Sequence, residues 1–317
     1  MRPATSRPRR RTLRPALTAA GVFVVAAGTI GWGLRDPAPG MLERRSAIAS
    51  VEEEAPVAVD SHIVQVVRVH AASGLTVGLT LKRHIADSSG VWPLAMILGG
   101  HRTGQQAVSL LENTRGVIAA AVSYPYDGDP RPYAMQFVRD IPKMRRAFTD
   151  TPPALMLALD YLLARPNVDS ARVEGIGVSL GAPFMVIAGA LDPRIRRVWV
   201  VHGSGGSFAP LEHNMREQVR LAPLRFFAAA LANAIIGGPR LEPERWVRRI
   251  APREFVMINA RDDARMPQAA VRSLYLAAGE PKELILTPGG HVRSVAEAVR
   301  PLVDTVMLRV RSDPIGH

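Results

Sequence analysis

The chain contains no cysteine. That absence excludes a disulfide framework, a thiolate nucleophile and any cysteine-ligated metal site, and it leaves the compartment open because many exported domains carry no disulfide. Aromatic residues are sparse, at 5%, and no basic stripe interleaved with aromatics is present, so a nucleic-acid partner is not expected. The formal charge of +12 points the same way once it is located along the chain. Arg2, Arg7, Arg9, Arg10, Arg11 and Arg14 precede residue 16 with no acid among them, so half of the excess belongs to a leader. No His-Glu-x-x-His run and no spaced set of histidines and carboxylates calls for a metal. Neither a metal nor a cofactor is expected, and no internal repeat is visible.

What the chain does have begins with an uncharged apolar run from Ala16 to Leu34. As a helix rising about 1.5 Å per residue it would span roughly 28 Å, close to the ~30 Å hydrocarbon layer of a bilayer. The arginines before it would keep residues 1–15 cytoplasmic and send the remainder across. The expectation is therefore a membrane-anchored, single-pass chain whose main domain is extracytoplasmic. The alternative is a cleaved signal peptide and a secreted domain. Residues 35–61 mix proline, glycine and charge without a sustained period and read as a tether.

From residue 62 onward the pattern becomes regular. Two β-like runs, His62 to Ala71 and Leu75 to His84, flank a short turn at Ser73 and Gly74 and suggest an antiparallel hairpin at a sheet edge. Apolar runs follow at Trp92 to Leu98, Gly116 to Val122, Arg172 to Val178, Ile195 to Val201, Glu254 to Asn259 and Glu283 to Leu286. Nearly continuous apolar strands are expected of a parallel sheet buried on both faces. Helical patterns lie between several of them, at Gln105 to Thr114, Ala154 to Ala164, Gln268 to Ala278 and Ser294 to Arg309. The predicted fold is α/β, a mostly parallel doubly wound sheet over residues 62–317 preceded by one transmembrane helix. Residues 203–249 are too long for an ordinary connection and read as a cap insertion. Their apolar run, Leu224 to Ile236, is either one more core helix or a cover over a site.

One stretch carries chemistry. Arg172 to Ala182 reads as a strand ending in Gly177-x-Ser179-x-Gly181 and running straight into a helix. A serine on that sharp turn presents its hydroxyl to open space, and glycines at 177 and 181 let strand and helix approach closely. A serine hydroxyl is a weak nucleophile near neutral pH, so it needs a base and an acid that orients the base. The loops after two later strands supply candidates: Asp262 and Asp263 after the Glu254 run, and His291 after Gly289 and Gly290. The backbone N–H of Leu180 can serve as one oxyanion donor. His202 ends a strand but precedes the acids, and reads as a pocket-lining or structural histidine.

On these residues the chain resembles an α/β-hydrolase of the esterase, dienelactone-hydrolase and prolyl-oligopeptidase-like branch over about residues 62–311. The acid loop of such enzymes, Gly-x-x-Asp-x-x-Val-Pro, matches Ala260 through Met266 and Pro267 and implies Asp263 as the acid, with Asp262 as competitor. Gly290 and His291 match the family's closing Gly-His. The loop after the Trp92 strand resembles the family's His-Gly-type loop, with leucine where the histidine often stands, and implies Gly100 or His101 as second oxyanion donor. The resemblance implies a serine hydrolase with the triad Ser179, Asp263 and His291. It would cleave a small-molecule ester or thioester through an acyl-enzyme. Two alternatives stay open: a peptidase or amidase using the same triad, and a catalytically silent fold acting as a binding module.

Overall fold

The computed structural model of the protein describes residues 36–100, 103–128, 134–292 and 296–312. The apolar run at 16–34 lies outside the described residues, and no described helix is long and apolar enough to cross a membrane.

A single ten-stranded sheet organises the chain. Its strands are β1 (Ile48–Glu53), β2 (Val57–Val59), β3 (His62–Ala71), β4 (Thr76–His84), β5 (Trp92–Leu98), β6 (Ile118–Val122), β7 (Val168–Val178), β8 (Arg197–Val201), β9 (Glu254–Ala260) and β10 (Lys282–Thr287). The order is β1-β3-β4-β6-β5-β7-β8-β9-β10, with β2 also paired to β3. From β6 to β10 every pairing is parallel, while β1 to β4 join antiparallel. The chain steps from β5 outward to β6 and then back across to β7. The carboxyl ends of β5 and β7 therefore flank the crevice where strand order reverses, which is where open α/β sheets bind ligands.

Alternation along each strand feeds two cores. On β5, Leu94, Met96 and Leu98 face one layer, while Ala95 and Ile97 face the other. The first layer is built by α1 (Ala38–Arg45), α2 (Ala134–Leu163), α3 (Gly181–Leu191), α6 (Pro243–Val247) and α7 (Gln268–Ala277). The second is covered by a 3₁₀ turn at Gly104–Leu110 and by α8 (Ala296–Ser312). Helix α3 is apolar all round and largely buried, as a helix without a polar face must be.

Four expectations change. The supposed tether is structured: α1 occupies 38–45 and is held to α2 by ion pairs Arg44–Asp150 at 2.9 Å and Arg45–Asp160, and β1 adds a strand beyond β3. Charge and proline masked this, because Glu52 and Glu53 sit on an exposed outer strand where charge is favourable. The β3–β4 hairpin is consequently interior to the sheet, paired to β1 on one side and β6 on the other. The helix foreseen from Ala154 starts at Ala134 and runs through Pro142, Pro152 and Pro153. Around the proline pair the hydroxyls of Thr149 and Thr151 donate to carbonyls one turn back, at Arg145 and Ala147. The helix foreseen at 105–114 is the short 3₁₀ turn.

The segment 203–249 forms α4 (Phe208–Asn214), α5 (Ala222–Ile235), a 3₁₀ turn at Gly238–Arg240 and α6. Helix α5 is not a core helix: Leu224, Phe227 and Leu231, on one stripe at helical spacing, are exposed, Phe227 by 69%.

Candidate active site

Strand β7 delivers Ser179 to its position. Ser179 holds φ at +52°, a left-handed value costly for a residue with a Cβ. Its amide is fixed to Val201 O at 2.9 Å, and its carbonyl accepts from Ala182 N at 3.1 Å. The glycines on either side are required by proximity. A Cβ on Gly181 would lie 2.2 Å from Leu98 O, and one on Gly177 would lie 2.7 Å from Met185 Cβ. The strain is thus imposed by a helix pressed against two strand ends.

Two further loops bring the partners. Ser179 Oγ lies 3.0 Å from His291 Nε2, and His291 Nδ1 lies 2.7 Å from Asp263 Oδ2. The carboxylate of Asp263 has no solvent exposure, and the imidazole of His291 retains 9%. Asp263 Oδ1 accepts from the backbone N–H groups of Arg265 at 2.9 Å and Met266 at 3.1 Å. Burial alone would raise the pKa of this carboxyl. Hydrogen bonds from His202, His291 and the Arg265 amide outweigh it and hold the group well below the usual carboxylate range. An ionised Asp263 keeps the proton of His291 on Nδ1 and leaves the Nε2 lone pair facing the serine hydroxyl. The competitor Asp262 is exposed, and its amide instead donates to Gly289 O at 3.1 Å, which ties the acid loop to the histidine loop.

His202 takes a place beyond the one expected of it. Its Nδ1 lies 3.2 Å from Asp263 Oδ2, and Val292 N–H points at the same nitrogen, also at 3.2 Å. One nitrogen carries either a proton or a lone pair, so it serves one of these partners at a time. Protonated, it donates to Asp263 in the acid loop; with a lone pair, it accepts from the residue after His291. The ring is edge-on to His291, with centroids 5.5 Å apart. His202 also sits at positive φ, +49°, one residue past the end of β8. The β7–β8 register pairs Val178 with Val201, so Ser179 and His202 are the next residues out on neighbouring strands. That shared register was the available signal, and only the sheet order exposes it.

His202, Asp263 and His291 also form the one group among the described residues whose ligand atoms, all within 4.8 Å, could meet on a metal. The Val292 N–H donor aimed at His202 Nδ1 opposes a cation at that nitrogen. The trio fits better as a hydrogen-bonded network around one carboxylate.

Of the two expected oxyanion donors, Leu180 opens α3 with helical backbone angles. Gly100 packs against the serine, where an added Cβ would lie 3.5 Å from Ser179 Cβ. Its carbonyl accepts from Thr103 N and Thr103 Oγ1, and Tyr124 donates to Gly99 O at 2.7 Å, which fixes the end of β5. Burial pushes the Tyr124 hydroxyl pKa upward, so it remains a donor. His101, the alternative second donor, lies outside the described residues.

No protein-family model matches this sequence, and no curated protein matches it. Similarity appears in solved structures. Acetyl xylan esterase 1 from Thermoanaerobacterium sp. JW/SL YS485 superposes with a TM-score of 0.61 at 14% identity, covering 87% of this chain and 94% of that one. The acetyl xylan esterase from Paenibacillus sp. R4 gives 0.61 at 17%, covering 89% and 92%. The α/β hydrolase GrgF from Penicillium sp. sh18 gives 0.55 at 15%, covering 83% and 98%. The chain has the α/β-hydrolase fold.

Within that fold two cavities meet at the serine. One, of 420 Å³, lies between the sheet and α8 and is lined by Ile97, Val201, Leu302, Val303 and Met307. The other, of 330 Å³, lies beneath the 203–249 insertion and is lined by Phe148, Phe184, Leu211, Ile236 and Met266. The α8 wall had no sequence signature, because a cavity-facing apolar stripe on a helix looks the same as a core-facing one.

Proposed function

We propose that this protein is a serine hydrolase of carboxylic esters. The observation that carries the reading is the unbroken hydrogen-bonded line from Ser179 Oγ through His291 to a buried carboxylate at 3.0 and 2.7 Å. Ser179 Oγ would attack the ester carbonyl while its proton passes to His291 Nε2, and Asp263 would hold the imidazole in the required tautomer. The backbone amides of Leu180 and Gly100 would donate to the oxyanion that forms on the carbonyl. Collapse of the adduct breaks the bond to the alkoxy group, which leaves as alcohol with the proton from His291. Water, deprotonated by the same histidine, then releases the acid. The esterases among the structural neighbours support carboxylic esters, with thioesters reached by the same chemistry, over other acyl donors.

The test is labelling of the full chain with a fluorophosphonate. The expected outcome is one covalent adduct, lost in Ser179→Ala together with ester turnover, by a factor of about 10⁶. A folded wild type that takes no label is a binding module instead.

The apolar run at 16–34, with the arginine leader before it, supports a membrane-anchored enzyme with its catalytic domain outside the cytoplasm. Proteolysis of intact spheroplasts should then remove the domain, and protection would reverse the orientation.

A further inference from the structure

We propose that the substrate carries an apolar group on each side of its ester, the acyl group seated under the 203–249 insertion and the alkoxy group between the sheet and α8. The inference rests on the hydrolase reading above and deepens it. Ser179 and Arg265 are the two residues that line both cavities, so a carbonyl carbon bonded to Ser179 Oγ stands at their junction. An ester has two substituents at that carbon, and each finds its own space.

The chemistry decides which goes where. The alkoxide must receive its proton from His291 Nε2 as the carbon–oxygen bond breaks, so the leaving oxygen faces the imidazole. His291 and Val292 line the 420 Å³ cavity and not the other. The departing alcohol therefore exits on the α8 side. The acyl group stays on Ser179 with Leu180 and Phe184 of the elbow helix beside it, in the 330 Å³ cavity. Each cavity by itself falls within the ~300–1,000 Å³ of a small-molecule site. An acetyl group would leave the insertion-side cavity largely empty, with Phe148, Phe184, Leu211 and Ile236 unburied by substrate. Apolar walls on both sides favour a longer aliphatic or aromatic acid esterified to an apolar alcohol.

Two series of alkyl alkanoates test this on the full-length enzyme. One lengthens the acid from acetate to octanoate at a fixed ethyl group, and the other lengthens the alcohol from ethyl to octyl at a fixed acetate, with kcat/KM read by acid release. Wild type should improve along both series. Ile236→Trp should lower the octanoate-to-acetate ratio about tenfold and leave the alcohol ratio alone, and Val303→Trp should do the reverse. Circular dichroism checks each variant. Should either tryptophan prevent folding, Ile236→Ala and Val303→Ala should move the matching optimum to longer chains. Crossed effects, or a wild type that prefers ethyl acetate to every longer ester, overturn the inference and leave the hydrolase reading standing. A wild type that turns over no ester and takes no phosphonate at Ser179 removes both.

Discussion

Two carboxylates lie buried in the same parallel sheet, and their environments push them in opposite directions. Asp263, past the carboxyl end of β9, is held well below the usual range although burial opposes it, because two imidazoles and two backbone N–H groups converge on its oxygens. Glu174, near the amino end of the strand pairing of β7, is also buried, and there burial wins and its pKa is raised. Its contacts are one N–H from Trp199 at 2.7 Å and Arg197 at 3.7 Å, and Arg197 is shared with Glu254 at 2.5 Å. The shifts run in opposite directions because close donors outweigh burial at Asp263, while at Glu174 burial is the larger cause. The proposed hydrolysis requires an ionised acid at the carboxyl end of the sheet, beside Ser179 and His291. At the opposite end the fold can tolerate a carboxyl whose charge is less well supported.

The comparison breaks most visibly at Asp263. Asp263→Asn keeps the volume and removes the charge, so the imidazole adopts the wrong tautomer, and kcat should fall about 10⁴-fold with the fold intact by circular dichroism. A loss under tenfold would shift the acid role to another group. The next effect concerns the second imidazole. His202→Leu removes the nitrogen that either donates to Asp263 or accepts from the Val292 amide. The expected result is a kcat lowered about ten- to a hundredfold at nearly unchanged KM, with the acid limb of the pH–rate profile displaced. His202→Asn should recover most of the rate, since asparagine tolerates positive φ and offers a donor or acceptor at the same position. Equal losses in both variants would mean that His202 merely fills space.

The smallest effects are in stability. Asp263 has a lowered folded pKa, so its contribution is present above its unfolded value of 3.8 and is lost as pH falls below it. Glu174 has a raised folded pKa, so its contribution is present below 4.5 and is lost as pH rises through the folded value. Glu174→Gln can still accept from Trp199 and should leave kcat/KM unchanged. Relative to this variant, wild type should lose Tm as pH rises from acid to neutral. Parallel melting curves across that range would show that Arg197 supports the charge fully.

Much of this was legible in one dimension. The strand at Trp92–Leu98 and the hairpin strand at His62–Ala71 carry their boundaries in their hydrophobic pattern. The Gly-x-Ser-x-Gly corner is local chemistry, because two close approaches and one strained serine belong to five consecutive residues. The acid and the histidine were readable as loop residues in the right order. Less legible were features whose cause lies elsewhere in the chain. Helix α2 survives its prolines because the enclosed stretch Ala154–Leu159 is packed on the sheet. Residues 48–53 become a strand because β3 offers an edge. The exposed stripe of α5 has the same spacing as a core helix, and no local signal tells the two apart.

The sequence by itself determined the succession of strands from β3 onward and the placing of a nucleophile, an acid and an imidazole in loops that follow strands, since these follow from short-range periodicity and backbone stereochemistry. Only the tertiary structure decided that Asp263 rather than Asp262 meets His291, that His202 shares the same carboxylate, and that two apolar cavities meet at Ser179. Those outcomes depend on which strands lie side by side and how their helices pack, and that is set by burial summed over the whole sheet rather than by any one stretch of chain.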